Sequence, residues 1–165
     1  MVEVQVHGIG IDARRAQPLV LLQEIGERGR ILPVWVADVD AAAVVAARED
    51  VPRPRPDSHT LIGNVLAAFG HRLSGVVITA LRDNVFHAEL VIDDGMRVDS
   101  RASDALALAL RAGVGIEVDE AVFERAGVSP GDVHESEDEA NQVSESEVER
   151  FRQMLDDASP SDFED

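Results

Sequence analysis

The chain has 165 residues, with 32 acids against 15 basic residues that are all arginine, and a formal charge of −17. That length holds one domain with a real core plus a tail, and the absence of cysteine excludes disulfides, thiolate catalysis and sulfur-ligated metal sites. No 18-residue apolar run and no charged-then-apolar start occur in it, so the expectation is a cytoplasmic protein with no membrane partner.

Val2, Val4 and Val6 alternate with Glu3, Gln5 and His7, the two-residue period of a half-buried strand continuing toward Gly10. Asp12 to Gln17 is a polar connection and Pro18 to Glu24 a second strand. Gly26-Glu27-Arg28-Gly29 turns the chain into a third strand from Arg30 to Val36, where Pro33 marks an edge position or a bulge. From Asp38 an alanine-rich run to Glu49 is helical by propensity. Three prolines at alternate positions within 51–57 forbid helix and favour an extended connection. Ser58 then caps a helix with Leu61, Ile62, Val65, Leu66 and Phe69 on one face and a stop at Gly70. Strands follow at 73–81, 85–92 and 96–99, with Asp94-Gly95 as the tight turn of the last pair. Residues 102–112 form a third helix ended by Gly113, residues 116–118 a short strand, and residues 119–126 a short helix ended by Gly127.

Beyond Ser129 the apolar content collapses. Residues 132–165 hold 13 of the 32 acids and only Arg150 and Arg152, so the tail carries most of the charge imbalance. The expected organisation is a domain over 1–127, an acidic disordered linker over 128–144, and an acidic tail over 145–165. Within that tail Val148, Phe151, Met154 and Leu155 share one face of a short amphipathic helix, too short and too acidic to fold alone. It is suited to docking on the domain or on a protein partner.

The element order is βββ-α-α-βββ-α-β-α, which is α+β with mostly antiparallel pairing. A strand-to-helix junction recurs in its two halves. Shifting residues 34–45 by 64 positions onto 98–109 superposes Val34 on Val98, Asp40 on Asp104, Ala41 on Ala105 and Ala43 on Ala107. An acid in a helix's first turn is stabilised there by free N–H groups and the macrodipole, which by itself accounts for both aspartates. The other reading is that two pseudo-equivalent carboxylates flank one shared cleft, with two related β-rich halves packing their sheets around one core.

Three segments, in order, carry a resemblance. Leu32-Pro33-Val34-Trp35-Val36 followed by Asp40-Ala41, then Arg53-Pro54 or Arg55-Pro56 with His59, Leu61 and Leu66 to Gly70, then Arg101-Ala102-Ser103-Asp104-Ala105 resemble the conserved strand and helix starts of the bifunctional nuclease domain family. The similarity spans roughly residues 3–125, and the tail from Phe151 to Phe163 looks like that of actinobacterial members. The resemblance implies a compact α+β fold, nuclease activity on RNA or DNA, and a homodimer, for which the Trp35 strand and the tail helix are candidate surfaces. The chain departs from the family pattern at Asp40, Thr60, His87, Ala102 and Glu117.

Each candidate residue has a chemical reading and a plainer one. His59, in a helix's first turn after an arginine-rich loop, suits general-base or metal-ligand chemistry, or simply bonds backbone at a helix start. Arg53, Arg55 and Arg101 offer planar forks for phosphate; Arg101 alternatively pairs with Asp40 or Asp104, and the other two serve solubility. Asp40, Asp104, His59 and Ser103 together suit a divalent cation, magnesium or manganese, that activates water for phosphodiester cleavage. The candidate sets are therefore Asp40, His59 and Asp104 for catalysis, Arg53, Arg55, Arg101 and Ser103 for substrate, and Asp40 with Asp104 for metal. Asp93-Asp94 reads as turn chemistry, and His7, His71, His87 and His134 give no ligand pattern. Gly8-Ile9-Gly10 lacks a following helix and is no dinucleotide fingerprint, so no organic cofactor is expected. The net acidity repels a phosphate backbone and aromatics for base stacking are few. The rival to a nuclease is a non-catalytic regulatory or interaction domain that binds a partner through its acidic tail.

Overall fold

In a computed structural model that describes residues 1–12, 15–50, 54–93 and 95–130, alternating valines and leucines lay out seven strands and four helices. The chain forms β1 (Val2–Asp12), β2 (Gln17–Glu24), β3 (Ile31–Trp35), α1 (Asp38–Arg48) and α2 (Ser58–Ala68). It continues through β4 (Leu73–Arg82), β5 (Val85–Ile92), β6 (Met96–Arg101), α3 (Ala102–Ala112), β7 (Gly115–Val118) and α4 (Glu120–Ala126). The fold is α+β, as the order of elements implies.

The strands make one sheet in the order β3-β2-β1-β7-β4-β5-β6, antiparallel throughout except for the parallel pair of β4 and β7. Each half is a three-strand meander followed by a helix, which matches the repeated junction in the sequence. The two halves share one continuous sheet. They join edge to edge, because β7 pairs with β1 on one side and β4 on the other. Its two apolar residues complete rows that cross the whole joint: Val4, Ile116, Val76 and Leu90 lie side by side, as do Val2, Val118, Ile78 and Ala88. All eight are buried.

A strand's two-residue period sends these residues to one face, and α1, α3 and α4 contribute to the same core through Val44, Leu106, Val122 and Phe123. Withdrawing one Val or Leu side chain from water is worth about 1.5–3 kcal/mol, so these rows are the main source of cohesion. The opposite face is more polar, with Glu3, Glu117, Val77, Glu89 and Asp99 in one cross-strand row.

α3 is buried along most of its length, from Ala102 and Ser103 through Ala105 to Ala109. Its alternate alanines leave room for α1, which packs beside it, and Gly113 closes it in the left-handed conformation at φ 64°. Pro33 does sit on an edge strand, where a missing N–H costs no ladder bond.

Two expectations are corrected. The cap of α2 is Asp57, not Ser58: its carboxylate accepts from the Thr60 N–H at 2.9 Å. The apolar face of α2 also does not enter the core. Leu61, Ile62, Val65 and Phe69 are 53%, 40%, 46% and 78% exposed, because α2 lies against α3 rather than on the sheet and presents the residues of its other side to it. Backbone pairing continues past residue 127, where Val128 bridges to Ile31 inside the stretch expected to be linker. The expected disorder over 132–144 and the tail helix lie outside the described residues, as does Asp94 of the expected turn. No helix among the described residues is long and apolar enough to cross a membrane.

Candidate functional site

The repeated junction places two helix starts side by side. β3 leads through Ala37 into α1, with Asp38 and Asp40 in its first turn, and β6 leads directly into α3, with Asp104 in its first turn. Neither helix has a side-chain cap. The packing of α1 on α3 brings both acids to one place, and α2, lying against α3, adds His59 from a third segment.

Arg101 is the hub. Its Nε donates to Asp104 Oδ2 at 2.7 Å and its Nη2 to Asp104 Oδ1 at 2.9 Å, a bidentate pair. Its Nη1 and Nη2 also donate to the two oxygens of Asp40, each at 3.3 Å. Asp104 Oδ1 in addition lies 3.1 Å from His59 Nε2. The Arg101 hydrogen bond, and to a lesser degree His59, holds the Asp104 carboxyl below its ordinary pKa against the opposing effect of burial. Asp104 reciprocally raises the proton affinity of Arg101. The side chains of His59 and Asp40 are 16% and 17% exposed while that of Arg101 is 64% exposed, so the guanidinium caps the cluster on its solvent side.

The sequence therefore names four residues that do meet: Asp40, His59, Arg101 and Asp104. Ser103 is buried on α3, and no hydrogen bond joins its hydroxyl to these four. Arg55 is exposed and makes no ion pair among the described residues. Arg53 lies outside the described residues.

A guanidinium has five N–H donors, and the four contacts above engage all but one of them. Two carboxylates against one guanidinium leave the cluster net negative while His59 is neutral. No group of three or more His, Asp or Glu side chains with metal-holding geometry occurs among the described residues. Magnesium and manganese take several oxygen ligands in a compact shell. Here the space between the two carboxylates is spanned by Arg101, so this arrangement does not fit a bound divalent ion.

Beside the cluster, α2, α3 and the sheet enclose a cleft of about 290 Å³ lined by His59, Thr60, Gly63, Leu66, Leu90 and Arg111, among others. His59 thus has the carboxylate cluster on one side and the cleft on the other. Arg111 Nη2 donates to Asp57 Oδ2 at 2.7 Å, with both side chains under 20% exposed, and Arg111 Nε is buried without a partner among the described residues. Sequence reasoning passed over this Asp57–Arg111 tie. An aspartate just ahead of a helix start was the available signal; nothing marked Arg111 beyond its place in a helix's last turn. A second pair, His71 Nδ1 to Asp93 Oδ2 at 2.6 Å, holds the start of β4 to the turn after β5. Asp93 is therefore more than turn chemistry. Trp35 donates from Nε1 to Asp12 at 3.0 Å and lies under Arg15, so its polar edge is satisfied within the chain.

The bifunctional nuclease domain model matches residues 20–131, a stretch that includes all four residues of the cluster. Two uncharacterized proteins of Mycobacterium tuberculosis, one from each of two strains, are similar end to end: each is 43% identical over 164 residues, covering 99% of this chain and 98% of its own. The chain belongs to the bifunctional nuclease domain family.

Proposed function

We propose that this domain hydrolyses phosphodiester bonds of RNA or DNA, with His59 as general base, Asp104 as its orienting carboxylate and Arg101 as the phosphate ligand. One observation carries the reading: a single carboxylate, Asp104, is shared between an imidazole at 3.1 Å and a guanidinium at 2.7 Å. A carboxylate that accepts from Nε2–H selects the tautomer whose lone pair is on Nδ1, which leaves a basic nitrogen on the other side of the ring. Water deprotonated there attacks phosphorus, the ester P–O bond breaks, and the leaving oxygen regains a proton through solvent. The uncommitted N–H of Arg101, on its exposed side, meets a non-bridging phosphate oxygen; Asp40 steadies the guanidinium for that task. Metal-assisted cleavage would need Asp40 and Asp104 released from Arg101 to serve as oxygen ligands for magnesium or manganese, whose chemistry there would be activation of water.

The second reading, a non-catalytic regulatory or interaction domain, is favoured by a different observation. Arg101 is largely spent on two carboxylates, and the cluster's net negative charge repels phosphate. Cleavage of RNA, single-stranded DNA and duplex DNA, measured with magnesium, manganese and chelator against His59→Ala as the contamination control, separates the two. Cleavage that persists in the variant assigns the activity to a contaminant. No cleavage by the wild type under any condition leaves the interaction reading in place.

A further inference from the structure

α2 is amphipathic in the sense opposite to that of a helix packed on a core. His59, Thr60 and Leu66 lie on its body side and are half-buried, whereas Leu61, Ile62, Val65, Ala68 and Phe69 are all exposed. At the helical turn angle these five fall within an arc of about 120°. No Asp, Glu or Arg occurs from Ser58 to Gly70, so no charge on the helix interrupts that strip.

Ile62, Val65 and Phe69 have the spacing i, i+3, i+7, which is that of a seam facing a second helix. The same chain supplies a matching seam: Val148, Phe151 and Leu155 repeat the spacing. They sit in a segment, 145–157, that holds Glu145, Glu147, Glu149, Asp156 and Asp157 against Arg150 and Arg152. The strip on α2 is bounded by the opposite sign. Arg55 lies ahead of the helix and Arg72 beyond it, both exposed and neither in an ion pair among the described residues. Asp93, near Arg72, is engaged by His71 and by the Arg72 N–H. Chain length permits the meeting. Pro130 rests near Gly29, and the seventeen residues 131–147 span up to about 56 Å when extended. A compact domain the size of residues 1–130 has a radius of gyration of only about 14 Å. So short a helix is marginal alone, but a tether of this kind holds it near its site at about millimolar effective concentration.

We propose that residues 145–157 of this chain form a helix that docks on the exposed apolar face of its own α2, with Phe151 against Val65. Each is the middle residue of its seam, so they meet whichever way the tail helix runs. In either direction the acids at the two ends of the segment fall beside Arg55 and Arg72. α2, which carries His59, thereby gains apolar contact on the side that the rest of the domain leaves open.

The test uses the full chain, which has no cysteine, at low micromolar concentration. Val65→Cys/Phe151→Cys closes an intramolecular disulfide in oxidised glutathione, seen by mass spectrometry as an oxidised monomer. Phe151→Cys combined with Val85→Cys, at the 57% exposed first residue of β5, does not. Amide hydrogen exchange provides an independent arm. In the wild type residues 148–155 are protected about tenfold or more over an unstructured chain, and Val65→Asp and Phe151→Asp each remove that protection. Val65 is exposed and Phe151 belongs to the tail, so the amides of β4 and β5 keep their protection in both variants and exclude unfolding as the cause. Unprotected tail amides in the wild type, protection indifferent to both aspartate variants, equal trapping at Val85, or covalent dimers in place of the oxidised monomer overturn the proposal.

Discussion

Replacing Asp57 by alanine tests how α2, and with it His59, is held to the body. The helix buries none of its own residues, so apolar packing contributes little to its position. Polar ties among the described residues hold it instead, His59 to Asp104 and Asp57 to Arg111 foremost. Asp57 serves both ends of its task at once, since Oδ1 caps α2 through Thr60 N–H and Oδ2 receives Arg111. Losing the cap costs about 1 kcal/mol. Stranding a fully buried charge costs about 3–5 kcal/mol, and with Arg111 and Asp57 still 16% and 18% exposed the figure falls to roughly 1–3 kcal/mol by solvent relaxation. The sum is about 2–4 kcal/mol, read from urea unfolding followed by circular dichroism. Asp57→Asn keeps a capping oxygen and isolates the ion-pair part. Adding Arg111→Met to Asp57→Ala recovers much of the loss, because the uncompensated charge is gone. A cost of Asp57→Ala below about 0.5 kcal/mol, or strictly additive effects of the two substitutions, refutes the assignment of α2 to this tie.

Three further outcomes are expected. Asp104→Asn abolishes any cleavage of RNA or DNA while the fold survives, since the helix-dipole term is about 0.3–1 kcal/mol and the ion pair with the 64% exposed Arg101 adds about 0–1 kcal/mol; cleavage by the folded variant removes Asp104 from the mechanism. Because the folded-state pKa of Asp104 is lowered, its contribution is complete above the unfolded value near pH 4 and is lost as pH falls through the lower folded value. The stability gap between wild type and Asp104→Asn, measured by denaturation across pH, should therefore be flat near neutrality and close in acid. Gly127→Ala puts a Cβ 2.6 Å from the Phe123 carbonyl oxygen and 2.9 Å from its ring. Something must move, at a cost of about 1–3 kcal/mol, and a melting temperature equal to wild type would show that the turn yields freely.

The order of strands and helices was legible because each element carries its own periodicity, and the clustering of Asp40, His59, Arg101 and Asp104 was legible because a repeated junction implied related positions. What was not legible depends on contacts distant in sequence. Val2 to Val118 pairing cannot be inferred from either strand alone, so the sequence left open how the two halves share their core, which β7 settles by joining them edge to edge. The apolar spacing of Leu61, Ile62, Val65 and Phe69 is that of a buried helix face, and only the docking of α2 on α3 reveals that these residues stay outside. Asp57 and Arg111 meet across 54 residues, which no local signal encodes. Arg101 was foreseen as a partner of one acid or the other; it binds both, and so spans the space between two carboxylates that by themselves suggest a divalent ion.

The four residues of β7 have a consequence for the order in which the molecule can be made. The strand that joins the halves is the last of the seven along the chain, yet it pairs with the first. During synthesis the N-terminal meander emerges early and must wait, with Val2 and Val4 unpaired on one side, until residues 115–118 leave the ribosome. Contacts of such long sequence separation slow folding, and the waiting halves each present an open apolar edge. A chain ending before Gly115 never closes that seam, so it should accumulate in aggregates while a chain ending after Val128 remains dispersed.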